Sequence, residues 1–205
     1  MTYTVKEIFY TLQGEGANVG RPAAFLRFAG CNLWSGRESD RRRAICKFCD
    51  TDFRGGQRFR DAEALADAVA AVWLGDPQHR FVVVTGGEPA LQFDAALARA
   101  LKERHFFIAI ETNGTVPLKG RVDWITVSPK AGTDPVLRGG DELKLVFPQE
   151  GAPPDRFEDL AFRLFYLQPM DDSQRQTNTL AALDYCRRHP RWRLSLQTHK
   201  LVGFP

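Results

Sequence analysis

No stretch of this chain is long and apolar enough to cross a membrane. Its first residues, Met1 to Tyr10, have neither the basic start nor the apolar run of a signal peptide. No proline- or serine-rich linker, low-complexity tract or internal repeat divides the 205 residues, so residues 1–205 are expected to form one domain. With 43% hydrophobic and 26% charged residues, a domain of that length can bury a good core. The formal charge of +3 is small and spread out, without the basic stripe of a protein that grips phosphates. That argues against direct nucleic-acid binding and for a small-molecule substrate. Cysteine is scarce, at four residues, and without a secretory signal it argues for the reducing cytoplasm, where clustered thiols bind metal more often than they pair.

Three of the four cysteines, Cys31, Cys46 and Cys49, fall close together. Three thiolates can hold three irons of a 4Fe-4S cluster and leave the fourth iron open to an outside molecule. A C-x2-C pair with one cysteine upstream also suits zinc, but no second C-x2-C or C-x-H pair stands at a spacing that would complete a tetrahedron. Cys186 falls in a helical pattern with Leu180 and Leu183 and reads as a small core residue.

Short apolar, β-branched or aromatic runs at Ala23 to Phe28, Phe81 to Val84, Phe106 to Ile110, Trp124 to Val127, Glu142 to Val146 and Arg163 to Leu167 predict buried strands. Helical periodicity predicts helices over Ala62 to Leu74, behind an Asp61 cap, and over Leu91 to Arg104 and Gln174 to Arg188. Alternation of the two implies parallel βαβ units. The connections from Glu111 to Trp124 and from Val127 to Glu142 are broken by Asn113-Gly114, Pro117, Gly120, Pro129, Gly132, Pro135 and Gly139-Gly140, and leave no room for crossover helices. The expected fold is therefore α/β, a trimmed and open partial (β/α) barrel of about six parallel-type strands and about three helices. Polar residues gather just after the strands: Gly30-Cys31, Thr85-Gly86-Gly87-Glu88, Glu111-Thr112-Asn113, Ser128-Pro129-Lys130 and Gln168-Pro169-Met170-Asp171. Carboxyl ends of strands carry the site in such sheets, so these clusters should converge. Asn113-Gly114 is equally a turn signal.

Leu12-Gln13-Gly14-Glu15-Gly16, Arg27, Cys46-Lys47-Phe48-Cys49-Asp50-Thr51 and Thr85-Gly86-Gly87-Glu88-Pro89 together resemble one family nearly end to end: the 7-carboxy-7-deazaguanine synthases, radical S-adenosylmethionine (SAM) enzymes on the route to queuosine. The chain departs from the usual C-x3-C-x2-C of that superfamily, because fourteen residues, Asn32 to Ile45, separate Cys31 from Cys46. Some members of the family are similar in this, and a longer loop closes at only a logarithmic cost in entropy.

The resemblance implies a fold of the radical SAM type, with Cys31, Cys46 and Cys49 as iron ligands and SAM on the open iron, where an electron releases a 5'-deoxyadenosyl radical. It implies 6-carboxy-5,6,7,8-tetrahydropterin as substrate, with hydrogen taken at carbon 6, ring contraction, loss of ammonia and regeneration of SAM. Phe48 against adenine, Cys49, Asp50, Gly87, Ser128, Pro129, Lys130, Gln168, Pro169, Met170 and Asp171 would hold SAM. Gly86-Gly87 would let backbone approach its methionyl amino group. Leu12, Gln13, Gly14, Arg27 and Thr85 would hold the pterin, Arg27 offering a planar fork to its carboxylate or serving as a surface ion-pair partner. Thr51 matches a magnesium ligand. Glu88 reads either as a SAM contact or as the start of the helix after Pro89, and Glu15 as a pocket or a solvated carboxylate. The apolar ending Leu201-Val202-Gly203-Phe204-Pro205 suggests a docked segment with Pro205 at the substrate, and family likeness suggests a homodimer.

Two other functions fit part of the pattern. A glycyl-radical activating enzyme shares the cysteine motif and attacks a protein backbone, although Leu12 to Gly16 and Thr51 favour the pterin enzyme. A zinc-stabilised interaction module would use the cysteines alone. Arg37, Arg41, Arg42 and Arg43 crowd the enlarged loop and are expected to meet an acidic electron donor such as a flavodoxin, or to form a solvated charged face.

Overall fold

The computed structural model describes residues 2–205. One nine-stranded sheet runs through it, in the order β3-β1-β2-β4-β5-β6-β7-β8-β9. Strand β1 (Tyr3–Leu12) lies antiparallel to both β2 (Pro22–Phe28) and the short edge strand β3 (Gln57–Phe59). From β2 onward every pairing is parallel: β4 (Phe81–Gly86), β5 (Phe107–Thr112), β6 (Trp124–Val127), β7 (Gly139–Phe147), β8 (Ala161–Pro169) and β9 (Trp192–Leu194) follow in chain order.

All six expected strands are present, but the parallel set holds a seventh, β9, and two antiparallel strands extend it. Strand β1 escaped the sequence reading although Tyr-Thr-Val and Ile-Phe-Tyr-Thr are strong strand formers. Its alternation is broken by a register shift between Val5 and Glu7, which splits one long strand into two short patterns.

Helices α1 (Ala62–Ala71), α2 (Ala95–Glu103) and α3 (Arg175–Arg188) are joined by a fourth, the five-residue α4 (Thr198–Val202). Asp61 caps α1 by accepting from the Ala64 N–H at 2.8 Å, and Asp94 caps α2 by accepting from the Leu97 N–H at 2.9 Å. The second cap explains why α2 starts four residues later than its periodicity suggests: Pro89–Leu91 forms a separate 3-10 turn. No α-helix crosses between β5 and β6, or between β6 and β7.

Period-two alternation in the strands separates the two faces of the sheet. On β4, Val82 and Val84 join Leu65, Val69, Leu97 and Leu101 in a core under α1 and α2. Phe81 and Val83 face the other way, beside Ala23 and Ala109. A second core, with Leu143, Leu145, Phe165, Leu167 and Trp192, lies under α3; Cys186 packs against it half-buried, but Leu180 and Leu183, expected on the same face, are exposed, because Asn178 and Ala182 make the buried face of α3. Among the described residues no helix is long and apolar enough to cross a membrane.

Candidate active site

The parallel strands share a direction, so their carboxyl ends meet along one rim, and there a cavity of about 500 Å³ opens. Cys31 follows β2, Thr85, Gly86 and Gly87 close β4, Ser128 and Lys130 follow β6, and Gln168 to Asp171 close β8. Leu12, Gln13, Gly14, Arg27, Cys46, Phe48, Cys49, Asp50, Thr51 and Pro205 line the same cavity. Pro129 alone among the expected site residues stands behind the wall, buried, its carbonyl accepting a 3.4 Å hydrogen bond from Gln149 Nε2.

The three thiols and Lys130 lie within electrostatic reach of one another. Cys46 and Cys49 lie close enough to compete for one proton, which together with burial drives Cys46 up and outweighs burial to bring Cys49 down to about 6. The Thr51 backbone and the Lys130 ammonium help to hold Cys49 low. Burial raises the Cys31 thiol and lowers Lys130, whose Nζ donates to the Ser128 carbonyl at 2.6 Å and to Ser128 Oγ at 2.8 Å. Three sulfurs with a cation behind them suit an anionic iron-sulfur cube. Among the described residues no three His, Cys, Asp or Glu side chains converge as ligands of a single metal ion.

The enlarged loop is anchored by a side chain that carried no functional signal. Trp34 is buried, meets Phe53 edge to face with ring centroids 5.6 Å apart, and carries the Arg41 guanidinium 4.1 Å above its ring. Arg41 Nη1 donates to the carbonyls of Lys47 (2.9 Å) and Cys49 (3.0 Å). Arg41 is therefore committed to bracing the paired cysteines and drops out of the expected basic face.

Two glycines of the Thr85–Pro89 turn are required by the protein's own backbone. A Cβ on Gly86, whose φ is +140°, would stand 2.3 Å from the Phe28 carbonyl oxygen, and one on Gly87 would stand 2.2 Å from that of Gly30. The close approach expected toward SAM is thus first an approach to the end of β2, which seats Cys31. Glu88 is fully buried, with Oε1 accepting from Thr112 Oγ1 (2.7 Å) and the Ala90 N–H (2.9 Å) and Oε2 accepting from the Asn113 N–H (2.8 Å). Both oxygens are occupied by the protein, so of its two readings the start of the 3-10 turn holds, with a tie from β4 to β5 added. Asn113 Oδ1 accepts from the Thr115 N–H, and Asn113 Nδ2 donates to Asn32 Oδ1 at 3.0 Å, so the turn also steadies the cysteine loop.

On the opposite wall Lys144 points in from β7, its side chain only 5% exposed, 2.5 Å from Glu15 Oε2 and 3.4 Å from Glu111 Oε1. Burial alone would lower Lys144, but Glu111, Glu15 and Glu142 together carry it above its ordinary value. Burial alone would raise Glu15. Lys144 and a 2.9 Å hydrogen bond from Gln197 hold it down to about 2. Glu15 is a pocket carboxylate. Gln13 Nε2 donates to Glu111 Oε1 at 2.8 Å, tying β1's end to β5. Arg27 Nε donates to Glu7 Oε1 at 2.7 Å, and its two Nη groups make no hydrogen bond among the described residues, so the ion pair leaves the guanidinium fork free to face the cavity.

Sequence reasoning gave no role to Lys144, Gln197, His199 or Lys200, and placed Glu111 only as part of a strand-end cluster, yet all five line the cavity. Asp141, Glu142 and Lys144, three charges in a strand that otherwise reads as apolar, were the available signal. α4 is too short to leave a periodic pattern.

A model of the radical SAM superfamily matches residues 41–143, starting inside the enlarged loop and so holding Cys46 and Cys49 but not Cys31. A 7-carboxy-7-deazaguanine synthase of Caulobacter vibrioides is 60% identical over the whole of both chains, and one of Bradyrhizobium diazoefficiens is 59% identical over 99% of each. The chain belongs to the 7-carboxy-7-deazaguanine synthase family. A more distant relative, from Bacteroides thetaiotaomicron, is 42% identical over 98% of both chains. The crystal structure of QueE from Escherichia coli has the same fold, with a TM-score of 0.72 and 27% identity, covering 97% of this chain and 95% of that one. As a radical SAM enzyme this synthase-family protein uses a 4Fe-4S cluster and SAM.

Proposed function

We propose that the cavity converts 6-carboxy-5,6,7,8-tetrahydropterin to 7-carboxy-7-deazaguanine with loss of ammonia, a step of 7-deazapurine synthesis toward queuosine. The observation that carries this reading is the meeting, in one cavity, of Cys31, Cys46 and Cys49 with Gln13, Arg27 and Thr85. When bound, the cluster and SAM supply one-electron chemistry, the abstraction of hydrogen from carbon 6 of the pterin.

The chain's residues bind and orient. Phe48, Cys49, Asp50, Gly87, Ser128, Lys130 and Gln168 to Asp171 face SAM. The Nη fork of Arg27 faces the pterin carboxylate, with Leu12, Gly14, Thr85 and Pro205 around the ring. Glu111 accepts only, and its Oε2 makes no hydrogen bond among the described residues, which suits the amino and ring N–H edge of a pterin, while Glu15 is held by Lys144 and Gln197. Magnesium is assigned to Thr51, which lines the cavity and would offer the ion a hard hydroxyl oxygen, with substrate oxygens and water supplying the other ligands.

Two partners complete the proposal. A flavodoxin-type donor docks at Arg37, Arg42 and Arg43, all exposed on the enlarged loop. Two copies form a homodimer, on the likeness to the family; a single-chain mass in sedimentation equilibrium would remove that assignment.

Anaerobic reconstitution with iron and sulfide should yield a brown protein that turns over the pterin without a partner polypeptide. Cys31→Ala, Cys46→Ala and Cys49→Ala should each abolish SAM cleavage, while Cys186→Ala leaves it. Thr51→Ala should keep the spectrum and need more magnesium. A colourless zinc protein, or SAM cleavage that requires a protein substrate, overturns the reading.

A further inference from the structure

Resting on the assignment of Asp50 and Asp171 to SAM and of residues 12–14 and Pro205 to the pterin, we propose that Lys200 is a positioning residue that couples the two sites by seating α4 across the cavity rim. Its Nζ lies 2.5 Å from Asp50 Oδ2 and 2.7 Å from Asp171 Oδ2. Asp50 follows the last cysteine of the cluster loop and Asp171 follows β8, so one ammonium joins two loops that meet nowhere in sequence. Among the described residues these are the only hydrogen bonds from α4 to either loop.

The other end of the same segment is fastened to the pterin side. The Thr198 N–H and Oγ1 both donate to the Gly14 carbonyl at 2.9 Å, Gln197 Nε2 donates to Glu15 Oε1 at 2.9 Å, and Thr11 Oγ1 donates to the Pro205 carbonyl at 2.9 Å. His199, Lys200 and Pro205 line the cavity between these two fastenings.

Beyond these ties α4 is thinly seated, with His199 lying against Gly14. None of its five residues is buried, Leu201 and Val202 are exposed, and a hollow of about 210 Å³ lined by Pro169, Thr179, Leu196 and Leu201 undercuts it. A helix without a packed face is held by its polar ties. An exposed ion pair by itself holds little. Here one cation with three donors serves two carboxylates from different elements, so seating α4 and fixing the spacing of the two loops are one event. A ligand that orders Asp50 and Asp171 thereby seats α4 for the pterin, and the pterin, by linkage, does the same for SAM.

The test is SAM binding to the reconstituted holoenzyme by equilibrium dialysis, with and without saturating pterin. Wild type should bind SAM at least about fivefold more tightly when pterin is present, the lower end of ordinary coupling. In Lys200→Met the factor should fall to near one with iron content and visible spectrum unchanged, and Lys200→Arg should restore most of it. Amides of residues 198–203 should exchange more slowly with both ligands in wild type and not in Lys200→Met. A wild type without coupling, or a Lys200→Met protein with wild-type coupling, overturns the proposal. Should Lys200→Met lose its cluster, Asp171→Asn, whose change lies away from the cysteines, must lower the same ratio, and an unchanged ratio there is equally fatal. SAM failing to bind the wild-type holoenzyme would overturn the site assignment itself, and this coupling with it.

Discussion

Glu15 shows what a single side chain gains from its surroundings. Lys144, Gln197, His199 and Glu142 face it, and the Lys144 ammonium prevails over burial, leaving its pKa near 2 instead of the ordinary 4.5. A carboxyl lowered in the folded state contributes stability that is complete above the unfolded value and fades as pH falls through the folded one. The contribution of Glu15 should therefore be whole above about 4.5 and be lost toward pH 2. Glu142, pushed upward by burial, acts in the opposite sense, so the wild type must be compared with a variant. Glu15→Gln should unfold at a lower denaturant midpoint at neutral pH and show a flatter midpoint across pH 4.5 to 2 than wild type. Parallel curves for the two proteins would show that Glu15 is not held by Lys144.

At the scale of elements, the enlarged loop illustrates how an insertion can stiffen a site. Residues Glu38–Arg43 form a 3-10 helix, and Arg41 reaches from it across Trp34 to the carbonyls of Lys47 and Cys49. Hydrogen bonds from a charged donor contribute more than neutral ones, about 1.5–3 kcal/mol. Arg41→Ala should leave the sheet folded, reduce stability by about 1–3 kcal/mol and free the backbone that presents Cys46 and Cys49. The expected result is faster loss of the visible iron-sulfur absorbance under a chelator, with Arg41→Lys intermediate because lysine cannot reproduce the planar fork. Equal rates in wild type and Arg41→Ala would remove Arg41 as a brace.

For the whole molecule, charge and topology act over longer distances. With a formal charge of only +3, steering toward an acidic donor must come from a local patch, and Arg37, Arg42 and Arg43 are exposed cations of the enlarged segment between Cys31 and Cys46. Replacing all three with glutamine should slow turnover driven by flavodoxin about tenfold or more at low salt, converge with wild type as salt rises, and leave turnover with a chemical reductant unchanged. Equal rates with both donors would place the electron entry elsewhere.

Sequence alone determined the features carried by local spacing. The cysteine triad, the Thr85–Pro89 turn, six parallel strands and three helices are written in short-range patterns, because ligand geometry, turn chemistry and burial period each act over a few residues. It also brought the polar strand ends to one rim, since parallel strands point their carboxyl ends the same way. Tertiary structure decided which of two local readings each ambiguous residue takes: Glu88 satisfies Thr112 and Asn113, Glu15 meets Lys144, and Arg41 braces Cys49. It also supplied β1, β9 and α4, and with α4 the Lys200 bridge across 150 residues to Asp50. The reason is physical: a charge takes its role from the charge it meets, and partners that far apart in sequence leave no period or spacing to read.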